Sequence, residues 1–421
     1  MKKALLAVAG VVVLIGAGLF AYGLYRKHEG RDVRGSSSVE FVTTRAKKKK
    51  VPPAPGIVWP MYRFDAGRNA APDGIPPAIR PPFHVRWYFR ARSLVEFPPA
   101  IAYGRLYFAN AQGKLFAVDT KLHGSVWQHV TNRCTAATPA VARHTVFMSF
   151  LNPTPCNATR AGLTGLILAL DADTGKVRWR VGTGPSESSP LVVGRTVYVG
   201  DWRGKVYALN VRNGHTRWTY QTGGAVKDGM AYAGGRIYFG SYDSHVYSLN
   251  ARTGKLIWKA SAQQRLGATG TFYSTPAVAY DRVYIGGTDG KVYSFGATTG
   301  KLRWSHGTGN YVYASPAVWK QRVLVGSYDG TFYCFDAATG DIRWTFKANG
   351  PISGSAVVLN GVVYFSTFRG RTYALDARTG QLLWFFRRGK YAGVVTDRTW
   401  LYLVGYGRVF AMLPRGATSA P

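Results

Sequence analysis

The sequence predicts an all-β protein made of repeated four-stranded units, and three observations support this. An eleven-residue pattern that ends in Trp, such as ALDADTGKVRW at 169–179, occurs seven times. Most copies follow one another at intervals near 40 residues, which indicates a repeat architecture. Each period contains four short apolar runs separated by Gly or Asn, as expected for antiparallel strands joined by tight turns. Repeated units of this kind are typical of the blades of a β-propeller.

Counting strands predicts eight blades over residues 57–414. The third strand of the unit occurs eight times, and no fourth strand follows the last copy at 408–413. Residues 83–90 form an isolated strand ahead of the first repeat, so we expect this N-terminal strand to complete the last blade and close the ring. Residues 415–421 are predicted to be a disordered tail. The Trp residues expected to dock between blades are Trp87, Trp127, Trp179, Trp218, Trp258, Trp304, Trp344 and Trp384.

The acidic position of the repeat is interpreted as a turn residue and not as a catalytic one. Because one copy has Gly there, the position cannot supply a metal ligand or a general base in every blade. Asp, Asn and Gly are all favoured in tight turns. The aligned residues are Asp119, Asp171, Asn210, Asn250, Gly296, Asp336 and Asp376.

The N-terminus is predicted to anchor the protein in a membrane. Residues 4–25 are apolar and uncharged, and about 22 residues of helix span a hydrocarbon core. We therefore expect a short cytoplasmic tail at 1–3, a transmembrane signal-anchor helix at 4–25, and a basic linker rich in Gly, Ser and Pro at 26–56. The predicted location is the cell membrane, with a single pass and an extracytoplasmic propeller.

The cysteines predict one disulfide. Cys134 lies in a loop from an outer strand to the next inner strand, and Cys156 lies in an enlarged loop between second and third strands. Both loop types lie on the same face of a propeller, so a Cys134–Cys156 bond is geometrically plausible, with two free thiols as the alternative. Such a bond implies an oxidising compartment. Cys334 aligns with small residues and is expected to be buried.

The loops that enter each blade give a candidate binding site at the mouth of the propeller. One position per blade, three residues before a recurring Pro, varies in type instead of repeating. We hypothesise that this mouth binds a glycan, peptide or anionic ligand through Tyr stacking and through Lys227 or Lys390. An ordinary solvated ring of loops is the alternative. The candidates at this position are Glu96, Glu187, Lys227, Tyr273, Tyr313 and Tyr391, and their neighbours in the loops add Arg133, Asp228, Tyr311 and Lys390.

The repeat resembles the tryptophan-docking motif of the pyrroloquinoline quinone (PQQ) repeat family. The shared pattern is [AS]-[LF]-[DN]-x-x-T-G-x-x-x-W, and WPMYRFDAGRNA at 59–70 is similar to the family's entry segment. The resemblance implies the propeller fold. It leaves two branches open, because the family includes quinoprotein dehydrogenases and non-catalytic members such as BamB, the propeller lipoprotein of outer-membrane assembly.

The enzyme branch implies features that this chain lacks. Quinoprotein alcohol dehydrogenases hold PQQ over Ca²⁺, use an Asp base and often carry adjacent cysteines. The chain has no Cys-Cys pair and no C-x-x-C-H haem motif. No catalytic, cofactor-binding or metal residue is assigned, and no cofactor is expected. We expect a non-catalytic scaffold or binding module at the cell envelope. The alternatives are a PQQ-dependent quinoprotein dehydrogenase, with PQQ and Ca²⁺, and a binder of cell-wall glycan or anionic polymer.

The charge balance indicates an affinity for anions. The formal net charge is +34, and residues 51–421 alone carry 43 basic and 17 acidic side chains. A surface of this sign attracts acidic lipids and polymers. The expected partners are the membrane through residues 4–25 and an envelope protein or anionic polymer. Nucleic acid is not expected, and the propeller is expected to be monomeric.

Overall fold

A computed structural model describes residues 13–20, 31–43, 56–156, 162–265 and 268–415. These residues form eight antiparallel blades of four strands, and the short strand Ile57–Trp59 adds a fifth to the first of them. The eight-bladed propeller predicted from the repeat is confirmed. Apart from Ile57–Trp59 and the closing blade, strands that are adjacent in a blade are also adjacent in sequence, since tight turns join strands that pair antiparallel.

Seven blades follow the order of the chain, and each runs from an inner strand at the axis to an outer strand. Blade 1 contains Ala100–Ala102, Arg105–Ala109, Lys114–Asp119 and Ser125–Val130. Blade 2 contains Ala140–Ala142, Thr145–Phe150, Gly165–Asp171 and Val177–Thr183. Blade 3 contains Leu191–Val193, Thr196–Gly200, Lys205–Asn210 and Thr216–Gln221, and blade 4 contains Ala231–Ala233, Arg236–Gly240, His245–Asn250 and Leu256–Ser261. Blade 5 contains Ala277–Ala279, Arg282–Gly286, Lys291–Gly296 and Leu302–Gly307; blade 6 contains Ala317–Trp319, Arg322–Gly326, Thr331–Asp336 and Ile342–Lys347; blade 7 contains Val357–Leu359, Val362–Ser366, Thr372–Asp376 and Leu382–Phe386. A small hairpin, Gln264–Arg265 with Ala268–Thr269, precedes blade 5.

Blade 8 joins the two ends of the propeller. Its three C-terminal strands are Val395–Thr396, Leu401–Gly405 and Arg408–Pro414, and its outer strand is Phe83–Arg90. Trp87 lies opposite Ala411 in this pairing. The N-terminal strand therefore occupies the predicted place, and the ring closes without leaving the last blade's third strand unpaired.

The repeated Trp joins each blade to the next one. The Trp218 indole N–H donates to the Ala251 carbonyl of blade 4 at 3.1 Å, and its ring lies over Gly254. Gly254 has φ +73°, and a Cβ there would lie 2.6 Å from the Trp218 ring. The same indole-to-carbonyl bond, at 2.9–3.1 Å, is made by Trp127, Trp179, Trp258 and Trp304.

The acidic position of the repeat holds the turn before each outer strand. Asp171 Oδ1 accepts from the Thr174 backbone N–H at 2.9 Å and from its hydroxyl at 3.0 Å, and Arg178 donates to Oδ2 at 2.7 Å. The Arg178 guanidinium holds the pKa of the Asp171 carboxyl well below its usual range. These bonds stabilise an Asx-type turn, which is a structural role.

Blade 5 has Gly296 at this position, and a carboxylate from elsewhere in the chain replaces the missing one. Glu40 Oε2 accepts from the Thr299 hydroxyl at 2.8 Å and from Arg303 Nε at 2.8 Å. Thr299 and Arg303 occupy the places that Thr174 and Arg178 occupy in blade 2. A Cβ at Gly296 would lie 2.0 Å from Glu40 Oε2. Gly is therefore required there because the carboxylate comes from Glu40.

Glu40 belongs to residues 31–43, which we call the strap. The strap lies along blades 5 and 6: Val33 forms a β-bridge with Ser305, and the Gly35 N–H donates to the Thr339 carbonyl at 2.8 Å. Arg282, which is 0% exposed, donates to the Glu40 carbonyl at 2.7 Å. This part of the predicted linker is docked on the propeller and is not a free spacer. Residues 44–55 lie outside the described residues.

Placing a carboxylate at position 296 in blade 5 tests whether Glu40 replaces the missing turn residue. Glu40→Ala is expected to lower the free energy of unfolding by about 2 kcal/mol, because two charge-assisted hydrogen bonds are lost. Gly296→Asp alone should also destabilise the protein, since its carboxyl group would overlap Glu40.

The double variant should recover at least half of the loss, because the introduced carboxylate would then occupy the place that Asp171 has in blade 2. Urea unfolding of the four proteins gives the coupling energy. Strictly additive losses would contradict a shared carboxylate position.

The entry segment, residues 59–70, closes the axis of the ring. Its carbonyl groups accept backbone hydrogen bonds from the inner strands of several blades, including one from Val358 N–H to the Ala70 carbonyl at 2.8 Å. Trp59 pairs with Ile101 of blade 1. The equivalent donors in blades 2, 4, 5 and 6 are Val141, Tyr232, Val278 and Val318.

Two buried arginines fix this segment. Arg68 is 0% exposed and donates to the Met230 carbonyl at 2.8 Å and the Pro190 carbonyl at 3.2 Å. Arg63 is 2% exposed and donates to the Ser315 carbonyl at 3.0 Å. The axial channel is therefore blocked, and the cavity on one side of it is blind.

The cysteine prediction is confirmed. Cys134 and Cys156 form a disulfide with a Cα–Cα distance of 5.5 Å, and Cys334 is a buried free thiol. The bond joins two loops of the same face, as the geometry of a propeller requires.

The described part of the N-terminus is short. Residues 13–20 are helical and exposed, whereas the rest of the predicted anchor at 4–25 lies outside the described residues. Among the helices of the described ranges, none is both long and apolar enough to cross a membrane. The transmembrane anchor therefore stays a prediction. Most of the predicted tail, at 416–421, also lies outside the described residues.

Candidate functional site

Two sets of loops meet on the face that carries the disulfide. One set enters each inner strand, and the other joins the second strand to the third. The backbone N–H of Tyr328 donates to the Tyr311 carbonyl at 2.9 Å, which ties one loop type to the other. The same bond is made by Trp202 to Pro185, Tyr242 to Ala225, and Phe368 to Pro351. The tie brings aromatic side chains from both loop types to the axis.

A blind cavity opens at the axis of this face, and we call this cavity and its rim the mouth. The entry segment forms its floor through Trp59, Tyr62 and Arg63. The cavity has a volume of about 110 Å³. This is room for a small group or one side chain.

Six aromatic rings form a continuous arc along the mouth on blades 4 to 8. Successive ring centroids lie 6.2, 5.1, 4.8, 5.4 and 5.3 Å apart, with interplanar angles of 72–87°. Edge-to-face packing of this kind is favourable and rigid. The arc consists, in order, of Tyr242, Tyr273, Tyr313, Tyr328, Phe368 and Tyr391.

Lys227 inserts its ammonium group between three rings at one end of the arc. Its Nζ lies 4.5 Å from the ring centroid of Trp202, 4.7 Å from that of Tyr242 and 5.9 Å from that of Tyr273. We call these three rings the box. Lys227 Nζ also lies 3.8 Å from Glu187 Oε1. The ammonium group of Lys227 is thus already engaged by side chains of the protein itself.

Three carboxyl groups lie at the mouth together with the aromatic arc. Glu187 is 9% exposed; it accepts from the Trp202 indole at 2.8 Å and from the Tyr273 hydroxyl at 3.3 Å. Burial raises the pKa of Glu187 to about 7, although Lys227 opposes this. Asp228 accepts from the Thr275 backbone N–H at 2.8 Å, and burial raises its pKa. Burial also raises the pKa of Glu96, which lines the cavity.

The raised pKa of Glu187 predicts a pH-dependent stability. The folded protein holds this proton more tightly than the unfolded chain does, so stability is lost as pH rises from about 4.5 to about 7. The loss is at most about 3 kcal/mol. Glu187→Gln should therefore raise the unfolding midpoint relative to the wild type at pH 8 but not at pH 4. Parallel curves for the two proteins across this range would contradict the shifted pKa.

Seven of the ten predicted mouth residues surround the cavity or the box. The structure brings together Glu96, Glu187, Lys227, Asp228, Tyr273, Tyr313 and Tyr391. Tyr311 is 48% exposed on the rim, with its ring 5.5 Å from that of Tyr313. Arg133 lies away from the cavity and donates to the Thr164 carbonyl at 2.7 Å, beside the enlarged loop. Lys390 lies over the rings of Tyr391 and Tyr406, 4.9 and 5.6 Å from their centroids.

Four aromatic residues of the site were not among the sequence candidates: Trp202, Tyr242, Tyr328 and Phe368. All occupy one position in the turn between second and third strands, which reads DWRG, SYDS, SYDG and TFRG in these blades. The aromatic residue at this aligned turn position is the sequence signal that identifies them. Tyr62, which is 5% exposed and lies at the floor of the cavity, was also missed.

The mouth does not suit the cofactor of the family's enzymes. PQQ is a tricarboxylate, whereas Glu96 and Asp228 line this cavity. The nearby cations are engaged: Lys227 by Glu187 and the box, and Arg63 by backbone carbonyl groups. Across the described ranges, no group of three or more His, Cys, Asp or Glu side chains is placed to hold a metal ion.

The chain is similar to a known protein family. The family model described as outer membrane protein assembly factor BamB matches residues 163–311 and 308–419, more than half of the chain. The chain belongs to this PQQ-repeat propeller family. No curated protein matches the sequence.

Several solved structures share the fold of this chain at a low sequence identity. BamB from Moraxella catarrhalis is 18% identical with a TM-score of 0.66, over 79% of this chain and 100% of that one. A europium-containing methanol dehydrogenase is 15% identical with a TM-score of 0.72, over 86% of this chain and 98% of that one. The quinohemoprotein alcohol dehydrogenase from Comamonas testosteroni is 15% identical with a TM-score of 0.69, over 86% and 81%. Because BamB and two dehydrogenases share the fold, the fold alone does not decide whether this chain is an enzyme.

Proposed function

We propose that this protein is a non-catalytic binding module of the cell envelope and that the mouth face binds a partner polypeptide. The aromatic arc is the observation that supports this most directly. A loop that only reverses the direction of the chain needs no aromatic side chain. Here, six half-buried aromatic side chains lie on one face around a small cavity. Tyr and Trp with an apolar body and a polar tip are enriched at protein interfaces.

Other features support the envelope and the class of partner. The family model carries the name of an assembly factor of the outer membrane. The disulfide suits an oxidising compartment, and the apolar run at 4–25 would anchor the chain there. An anionic polymer at the mouth is disfavoured, because Glu96 and Asp228 line the cavity and the nearby cations Lys227 and Arg63 already have partners within the protein.

Site-specific photocrosslinking tests the proposed face. A photoreactive amino acid replaces Tyr311 on the rim, and in a matched control it replaces Leu122, which is 84% exposed in a turn on the opposite face. In membranes, the Tyr311 position should capture a discrete envelope protein. The double change Tyr313→Ala and Tyr328→Ala should abolish that capture, because the arc is broken at its centre. Equal capture from Leu122, or capture that survives the double change, would overturn the proposal.

A further inference from the structure

The box holds an ammonium group that belongs to the protein itself. Three rings and one carboxylate surround the Lys227 ammonium, at 4.5–5.9 Å from the ring centroids and 3.8 Å from Glu187 Oε1. Ring faces attract a cation, and Trp and Tyr do so most strongly. The protein therefore already holds one alkylammonium group at its mouth.

The rest of the mouth repeats this combination of rings and a carboxyl group. Tyr313, Tyr328 and Tyr391 line the cavity together with Phe368. Glu96 lines it as well, and its carboxyl group makes no hydrogen bond or ion pair with the described residues. Glu96 and the rings of Tyr328 and Tyr391 therefore face the same cavity.

The charge and the size of the cavity restrict the ligands that it can bind. An anion would face the carboxyl groups of Glu96 and Asp228, and a wholly apolar group would leave Glu96 buried without a partner, which is costly. The cavity volume of about 110 Å³ is enough for a single extended side chain. The entry segment blocks the far end, so the ligand must enter tip first.

We propose that this cavity is a second ammonium site, which takes a lysine side chain of the partner polypeptide between the aromatic arc and Glu96. The inference rests on the proposed function, since it assigns the chemistry of binding at the same face. Lys227 fills the neighbouring box from within, and the partner's lysine fills the other half of the mouth.

Calorimetry with the full-length protein tests the ligand class. The probes are the capped tripeptide Gly-Lys-Gly and its counterpart with norleucine, which has a similar apolar chain without the ammonium group. We expect the lysine peptide to bind with a dissociation constant of about 1 mM and the norleucine peptide at least about tenfold more weakly. Equal affinities would overturn the inference, and so would an absence of binding by the lysine peptide.

Two variants assign the lysine peptide to the cavity. Glu96→Gln should weaken its binding at least about tenfold, because a charge-assisted contact is lost. The control Asp173→Asn changes an exposed carboxylate in a turn on the opposite face and should leave the affinity unchanged. Equal losses in both variants would overturn the inference, because they would indicate a general charge effect.

The box gives an independent measurement. In Lys227→Ala, n-propylammonium should raise the thermal midpoint by refilling the box, whereas n-propanol should not. Equal effects of the two would show that the rings do not select for the ammonium group. n-Butylammonium that binds the wild type as tightly as the lysine peptide would overturn the polypeptide source and favour a free amine.

The results of these tests and of the crosslinking can be told apart. If the ammonium tests fail while crosslinking from Tyr311 succeeds, the ammonium site is wrong and the proposed function stands. If both fail, the proposed function is wrong as well.

Discussion

Arg68→Met is expected to lower the free energy of unfolding by about 3–5 kcal/mol. The side chain is 0% exposed and donates to carbonyl groups of Met230, Ser189 and Pro190, as well as Tyr62 in its own segment. Met fills a similar volume but donates nothing, so several buried carbonyl groups lose their partners. Arg68→Lys should be destabilising too, because an ammonium group cannot reproduce the planar spread of a guanidinium.

Urea unfolding measured by tryptophan fluorescence gives the comparison. The matched control is Arg212→Met, since Arg212 is exposed and its side chain makes no hydrogen bond with the described residues. It should change stability by no more than about 0.5 kcal/mol. If Arg68→Met behaved like this control, the entry segment would not be held by the arginine.

Gly254→Ala is expected to cost about 3–4 kcal/mol. Gly254 has φ +73°, a conformation that costs an L-residue about 1–2 kcal/mol. In addition, the new methyl group would lie 2.6 Å from the Trp218 ring, which forces apart blades 3 and 4.

Gly194→Ala separates the two contributions. Gly194 has φ +60°, and a Cβ there meets nothing within 4 Å. This control therefore carries only the backbone cost of about 1–2 kcal/mol. The difference between the two variants, measured by denaturant unfolding, is the contribution of the docked Trp. Equal losses would mean that the blade contact adapts to the methyl group without cost.

The fold follows from the sequence because each blade repeats the same local information. The Trp spacing marks the blades, and the absence of a fourth strand after 408–413 identifies 83–90 as the closing strand. The strap could not be found this way. Its Gly-Ser run and basic flanks resemble a linker, and its partner is the Gly296 turn in a distant part of the chain. In the sequence, the strap was indicated only by Gly296, the one Gly among the aligned turn residues.

The site could be predicted in its position but not in its chemistry. One residue per blade in the entering loops pointed to Tyr273, Tyr313 and Tyr391, which do line the cavity. The hypothesis gave Lys227 or Lys390 the role of pairing charge with a glycan, peptide or anionic ligand. The structure instead places Lys227 in the box beside Glu187. That arrangement needs side chains from three consecutive blades at defined distances, which a single repeat does not encode.

The entry segment also constrains the order in which the molecule can assemble. Residues 59–70 are synthesised before any complete blade, yet their hydrogen-bond partners extend to Val358 in blade 7. The strand Phe83–Arg90 pairs later still, with Arg408–Pro414. Contacts this distant in sequence carry a large loop-closure cost and slow folding. The early segment can act as a template around which blades collect, but until the last blade arrives the chain exposes unpaired strand edges that favour aggregation.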